Sequence, residues 1–348
     1  MSHAIAIDLV SDTATRPTQA MFAAMAAAAT GDEQRGEDPT TRALCERVAD
    51  YLGMEDALFL PSGTMCNMIA FLIHCRPGDE IIAAANAHVY GSEGAGAAAL
   101  GGAQFRVIDS RNGLFDGAAV ESLIRVPRHR SPRSRLLCLE QTANRGGGTV
   151  WPVDQITAVA EAARAAGLAV HMDGARLPNA AVASGRPARD HTASMDSAWI
   201  DFSKGLGCPV GAALGGSRAF IEEAWTWKHR LGGAMRQSGV LAAAALHAMD
   251  HHIDRLAEDH ENARLLATEL AQSPGISVYP RVPETNILFV ELGDGAPSAS
   301  VMAERLARHG VRLGTENSKL MRAVTHLDVS REQILDAVTA IRQVLKES

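Results

Sequence analysis

The sequence predicts an α/β fold: a large domain with a mostly parallel sheet sandwiched by helices, then a smaller C-terminal α/β domain. Three observations lead there. From about residue 40 to 250, short apolar runs alternate with helix-period patterns, as when covering helices join the strands of a parallel sheet. A long alanine-rich stretch from about 238 to 271 has no proline, and no glycine after Gly239, so it reads as a helix able to bridge two domains. Beyond it the alternation resumes as a smaller β-α-β-α unit. The expected division is residues 1–250, including an N-terminal arm, and residues 251–348.

Along the chain, "DALFLPSG" reads as a strand running into a loop. "TMCNMIAFLIHC" follows as a helix, with Met65, Met68, Ile69, Leu72 and Ile73 at helical spacing. "EIIAAANAH", "AQFRVID", "RLLCLEQT", "LAVHMDGA" and "AWIDFSKG" are further strands. Between them lie helices such as "VDQITAVAEAARAAG", which ends at the capping residue Gly167. The C-terminal unit comprises "TNILFVEL", "SVMAERLARHG", "LMRAVTHLDV" and a last helix. Ser330 and Gln333 open that helix in capping-box spacing, and Ile334, Leu335, Val338, Ile341 and Leu345 form its expected core face.

A chain of 348 residues that is 47% hydrophobic can bury a large core. A net charge of −7 and a pI of about 6.0 argue against a general nucleic-acid or polyanion partner. The opening "MSHAIAIDLVSD" shows no basic segment followed by an apolar one, and no run of 18 apolar residues occurs, so neither a leader nor a membrane span is expected. Five cysteines (Cys45, Cys66, Cys75, Cys138, Cys208) without CxxC spacing read as reduced thiols of a cytoplasmic protein. The arginine run at 125–135 reads as a solvated loop. His247 and His251 stand four apart, but no HExxH accompanies them, so no metal site is expected; His251 and His252 read as polar-face residues.

In an open α/β sheet, ligands bind beyond the carboxyl ends of the strands. Three features fall there. In "PSGTM", Ser62, Gly63 and Thr64 open a helix whose free N–H groups and hydroxyls suit a phosphate, although an ordinary N-cap explains them equally. In "HMDGARL", Asp173 ends an apolar strand and could hold a protonated heterocycle nitrogen, or serve as a turn aspartate. In "SAWIDFSKGLGCPVG", Lys204 ends another strand beside small residues that would let a ligand approach the backbone. A desolvated lysine there can form a Schiff base with an aldehyde; a surface lysine is the plainer reading. Together, a phosphate cradle, a pyridinium-binding carboxylate and a Schiff-base amine are what pyridoxal 5'-phosphate requires.

"DLVSDTATRPTQAM", "GEDPTTRAL", "PSGTMCN", "AHVYGSEG", "HMDGARLPNA", "FSKGLGCPVG" and "GGAMRQSGVLAAAALHA" together resemble the low-specificity L-threonine aldolases. These are fold-type I pyridoxal-phosphate enzymes of the β-eliminating lyase group, and the likeness runs in order from about residue 7 to 330. It implies retro-aldol cleavage of β-hydroxy-α-amino acids to glycine and an aldehyde, in a homodimer or homotetramer with the site at a subunit interface. By position, Lys204 matches the cofactor-bearing lysine and Asp173 the partner of the ring nitrogen. Gly63 and Thr64 match the phosphate loop, and His88 the histidine stacked on the ring. Arg176 matches an arginine near the phenolate oxygen and substrate carboxylate, and Arg236 one near the phosphate. Ser11 and Arg322 match groups that grip the α-carboxylate.

Three positions depart from the pattern. Ala143, in "EQTAN", replaces the histidine that normally faces the β-hydroxyl, leaving its role to His88 or water and either relaxing threo/erythro discrimination or opening room for a larger aldehyde portion. Arg35 replaces a tyrosine and is expected to favour polar or anionic β-substituents. His229 stands where a lysine is usual. Asp173 and Lys204 alone fit another β-eliminating lyase or a transaminase equally, and a non-catalytic cofactor-binding module remains an alternative from a different class.

Overall fold

A computed structural model describes residues 4–347. Its twelve strands are β1 (Ile7–Leu9), β2 (Asp56–Leu60), β3 (Asp79–Ala84), β4 (Gln104–Ile108), β5 (Arg133–Glu140) and β6 (Ala169–Asp173), then β7 (Ser197–Asp201), β8 (Ala212–Gly216), β9 (Ile276–Tyr279), β10 (Ile287–Leu292), β11 (Val311–Asn317) and β12 (Leu320–Val324).

Seven strands form the larger sheet, in the order β2-β8-β7-β6-β5-β3-β4. From β4 to β7 all neighbours run parallel; β8 is antiparallel to both β7 and β2. Every residue of β3, β7 and β8 is buried, as a sheet covered on both faces demands. The short run "AALGG" of β8 carries no β-branched or aromatic residue to mark it as a strand and was not anticipated from the sequence. Helix Gly63–His74 packs on one face; Val153–Ala165 lies against β5 and β6 and ends in a left-handed Gly167.

The smaller sheet has the order β1-β11-β12-β10-β9. It is antiparallel except that the N-terminal arm adds β1 parallel to β11, pairing Ile7 with Val311 and Leu9 with Leu313. One apolar cluster joins Ile7 and Leu9 of the arm to Leu266, Leu288, Met302 and Ile334. β9 and β11 were also missed: their alternating or half-exposed patterns give no continuous apolar run.

Several expectations are corrected. The stretch 238–271 is two helices, Gly239–His251 and Leu256–Leu270, with a break over 252–255. There His252 is buried, not on a polar face, and its Nδ1 meets the Leu206 carbonyl at 2.8 Å. In the last helix Leu335 faces solvent, 44% exposed, while Ala337 and Val344 occupy the inner face and Leu345 packs at its margin. The Ser330–Gln333 capping box is present. The arginine run is partly structural: Arg125 makes a forked contact with Glu80, and Arg133 one with Asp79. All five cysteines are free. No helix among the described residues is long and apolar enough to cross a membrane.

Candidate active site

The parallel strands end at a cavity of about 430 Å³. Ser11, Ser62, Gly63, Thr64, His88, Asp173, Arg176, Lys204 and Arg322 all line it, so nine residues singled out in the sequence converge. Arg35 and Arg236 do not. Arg35 is exposed and 3.9 Å from Asp32, which also takes the exposed Arg236 at 2.8 Å. Ala143 is absent from the wall too: it is buried, with its Cβ close to Gly113 and Gly146, although the adjoining Asn144 lines the cavity.

The backbone explains the convergence. Ser62 caps helix Gly63–His74, its Oγ accepting from Met65 N–H, which leaves the first-turn N–H groups of Gly63 and Thr64 at the cavity. Gly63 is obligatory for packing: a Cβ there would lie 2.1 Å from the Trp199 ring. Lys204 follows β7 by three residues. Its ammonium is paired with Asp201, and Thr15 Oγ1 donates to its carbonyl at 2.8 Å. Gly205 and Gly207 do not face the cavity as expected. Added Cβ atoms would press on Leu256 and Leu327, and Gly207 turns left-handed at φ 78°.

Asp173, at the end of β6, is 1% exposed. Its Oδ2 accepts from Asn67 Nδ2 at 2.9 Å and its Oδ1 from Ala175 N–H at 3.1 Å. Burial and the nearby Glu93 raise its pKa, against the lowering pull of the Asn67 hydrogen bond, His88 and Lys204. The ligand atoms of His88, Glu93 and Asp173 lie within 4.8 Å of one another. His88 Nδ1 meets Glu93 Oε1 at 2.9 Å, and that contact raises the histidine pKa. Glu140, level with Asp173 on the neighbouring strand, accepts from the backbone N–H groups of His88 and Asn144. Burial, then repulsion by Asp173, pushes its pKa to about 7.

Arg176 forms a buried two-point ion pair with Asp12, both contacts at 2.7 Å, and Asn286 donates a third hydrogen bond to Asp12. Burial would raise the Asp12 pKa, but the guanidinium overcomes it and holds it at about 2. Arg322 donates to Asn144 Oδ1 at 3.2 Å and to the Val10 carbonyl at 3.3 Å; its buried Nε has no hydrogen-bond partner, with Glu316 3.6 Å away. Asp12, Asn67, Glu93, Glu140 and Asn144 escaped the sequence reading. All five lie inside motifs quoted from the sequence, but only what they touch in the fold identifies their part in the site.

The residues fit pyridoxal phosphate. An amine, a buried carboxylate and a helix N-terminus with two hydroxyls share one cavity, and Arg322 on its wall offers a guanidinium for a substrate carboxylate.

A family model described as beta-eliminating lyase matches residues 8–294. The chain is 42% identical to the low specificity L-threonine aldolase of Escherichia coli K12 over 340 residues, covering 97% of this chain and 99% of that one. It is 40% identical to low-specificity L-threonine aldolase 1 of Arabidopsis thaliana, covering 97% and 96%. Among solved structures, the threonine aldolase of Leishmania major superposes with a TM-score of 0.83 at 21% identity, covering 97% and 99%. The serine palmitoyltransferase of Sphingomonas wittichii does so at 0.77 and 18%, covering 98% and 88%. These two likenesses establish the shared fold alone.

Proposed function

The chain belongs to the beta-eliminating lyase family, and from that premise we propose that it cleaves L-threonine, L-allo-threonine and related β-hydroxy-α-amino acids to glycine and an aldehyde, using pyridoxal 5'-phosphate. The observation that carries this reading is the meeting of Lys204, Asp173 and the Ser62–Thr64 helix start in one cavity whose wall also holds Arg322. The whole-length likeness to threonine aldolases favours the aldol reaction over elimination or transamination.

Lys204 would hold the cofactor's aldehyde carbon, Asp173 its ring nitrogen, and Ser62, Gly63 and Thr64 its phosphate, with His88 against the ring. When bound, the cofactor supplies an electron sink for the pair released as the Cα–Cβ bond breaks. The chain's own groups do the rest. Arg322 and Ser11, both on the cavity wall, take the α-carboxylate, which orients the scissile bond. Arg176, held in place by its two-point ion pair with Asp12, would turn its remaining N–H groups to the phenolate oxygen and the substrate carboxylate. His88 takes the β-hydroxyl proton; its Nδ1 is engaged by Glu93, so Nε2 is the atom free to act. This general-base role contributes about 10²- to 10⁴-fold in rate.

The exposed Arg236, outside its own chain's cavity, supports a homodimer or homotetramer in which a second copy brings it to the phosphate. Residues 1–250 and 251–348 are read as cofactor and closing domains, and the five free thiols support a reducing, cytoplasmic setting. The test is incubation with threonine and allo-threonine, assaying glycine and acetaldehyde together. Equal yields from the wild type and none from Lys204→Ala are expected. 2-Oxobutyrate with ammonia in place of acetaldehyde would turn the reading to elimination, and a 3-hydroxy-2-oxo acid without ammonia to transamination.

A further inference from the structure

Behind Asp173 runs an unbroken line of buried hydrogen bonds. Asp173 Oδ2 meets Asn67 Nδ2 at 2.9 Å. Asn67 Oδ1 meets His171 Nε2 at 3.1 Å. His171 Nδ1 meets Ser197 Oγ at 2.8 Å, and Ser197 Oγ meets His74 Nε2 at 2.8 Å. Asn67, His171 and Ser197 are fully buried, and His74 lies at the half-buried outer end.

Chemistry fixes the direction of every link. The Trp199 indole can only donate, and it lies 2.7 Å from Asn67 Oδ1, so that atom is the amide oxygen. The Asn67 amino group then spends its two hydrogens on two carboxylates, Asp173 and Glu93 at 2.8 Å. His171 must therefore donate from Nε2, and a neutral ring leaves Nδ1 to accept from the Ser197 hydroxyl. Ser197, having given its hydrogen, accepts from His74 Nε2–H. All donors point toward the carboxylate, and a chain so aligned is mutually polarised. Burial keeps both rings neutral, lowering the His171 pKa to about 3 and that of His74 to about 4. Phe71 sets the His171 ring, edge on at 6.0 Å.

We propose that Asn67, His171, Ser197 and His74, braced by Trp199, form a positioning relay that fixes the Asp173 carboxylate toward the cofactor's ring nitrogen and favours its charged form. This rests on the reading of Asp173 as the partner of that nitrogen. With Asn67 on Oδ2 and Ala175 N–H on Oδ1, the carboxylate has both oxygens anchored from behind and cannot turn away from the cavity. None of the four relay residues lines the cavity, so each acts through Asp173.

The test begins on the cofactor-free protein with ¹⁵N resonances of the histidine rings. His74 and His171 are expected as neutral Nε2–H tautomers, both unprotonated at pH 5.5. Finding His171 charged, or carrying its proton on Nδ1, overturns the relay. The second readout uses pyridoxal phosphate labelled at the ring nitrogen. In Ser197→Ala and His74→Phe its ¹⁵N signal is expected to shift toward the unprotonated position. The cofactor dissociation constant should rise about tenfold in Ser197→Ala, the loss of roughly one hydrogen bond. His74→Phe, altered only at the outer end, guards against a folding defect. A signal unchanged from wild type in both variants overturns the relay while leaving Asp173 in its role. A wild-type protein that binds the cofactor with an unprotonated ring nitrogen overturns the role of Asp173, and the relay with it.

Discussion

Asp12 and Arg176 show what a single residue contributes here. Both are buried, at 0% and 4% exposure, so each charge depends on the other. Asp12→Asn keeps the shape but leaves a buried guanidinium unpaired, and is expected to lower stability by about 3–5 kcal/mol, read from urea denaturation at pH 7. The sign with pH follows from a lowered pKa: the stabilisation is complete above the ordinary carboxylate value of 3.8 and is lost as pH falls toward about 2. The gap between wild type and variant should be level from pH 5 to 7 and close below 3.8. Glu140 behaves oppositely. Its pKa rises from 4.5 to about 7, so its contribution is present below 4.5 and lost as pH climbs through 7. Glu140→Gln in the cofactor-free protein should therefore gain stability over wild type across that window; a difference flat with pH would refute the assignment. At this scale the sequence disclosed residues with a chemical calling at a strand or helix end: Lys204, Asp173, Ser62. It did not disclose Asp12, Asn67 or Glu140, whose meaning lies in partners 164, 106 and 33 residues distant. Arg35 adjoins a motif, but its exposed side chain lies against Asp32, outside its own chain's cavity.

Among the elements, those legible in the sequence were the ones whose own residues force them. β3, β5, β6 and β7 are apolar runs that only a doubly covered sheet can bury, and Ser62, Gly167 and Ser330 mark helix ends by local hydrogen bonding. β8 was hidden because alanine and glycine give no strand signal, and β1 because its three residues are held by pairing with β11 and by an apolar cluster, both distant in sequence. The last helix offers a direct measurement. Ile334 is fully buried among arm and sheet residues, whereas Leu335 is 44% exposed despite looking like part of the same stripe. Ile334→Ala is expected to cost about 2–5 kcal/mol, and Leu335→Gln no more than about 0.5 kcal/mol. Comparable losses from the two would show the helix rotated from the orientation described.

For the whole molecule, the question is whether one chain holds a complete site. The cavity wall near Thr64 gathers hydroxyls and helix N–H groups, but the cation its sequence motif supplies, Arg236, sits outside, 61% exposed and held by Asp32. A dianionic phosphate attracts a guanidinium strongly, so an exposed arginine next to a glycine pair, Gly232–Gly233, is well placed to serve another copy. If each site takes Lys204 from one subunit and Arg236 from the next, two defective variants can repair each other. Lys204→Ala and Arg236→Ala are each expected to show little threonine cleavage alone. Unfolded together and refolded as an equal mixture, half of the dimers are hybrids, and each hybrid has one site with both residues intact and one with neither. Recovered activity should then approach about a quarter of wild type. A mixture no more active than its components, with hybrids confirmed by mass, would place Arg236 outside the catalytic assembly. The same mixing with Asp173→Ala in place of Arg236→Ala should recover nothing, because Lys204 and Asp173 line one cavity of a single chain and every hybrid site lacks one of them.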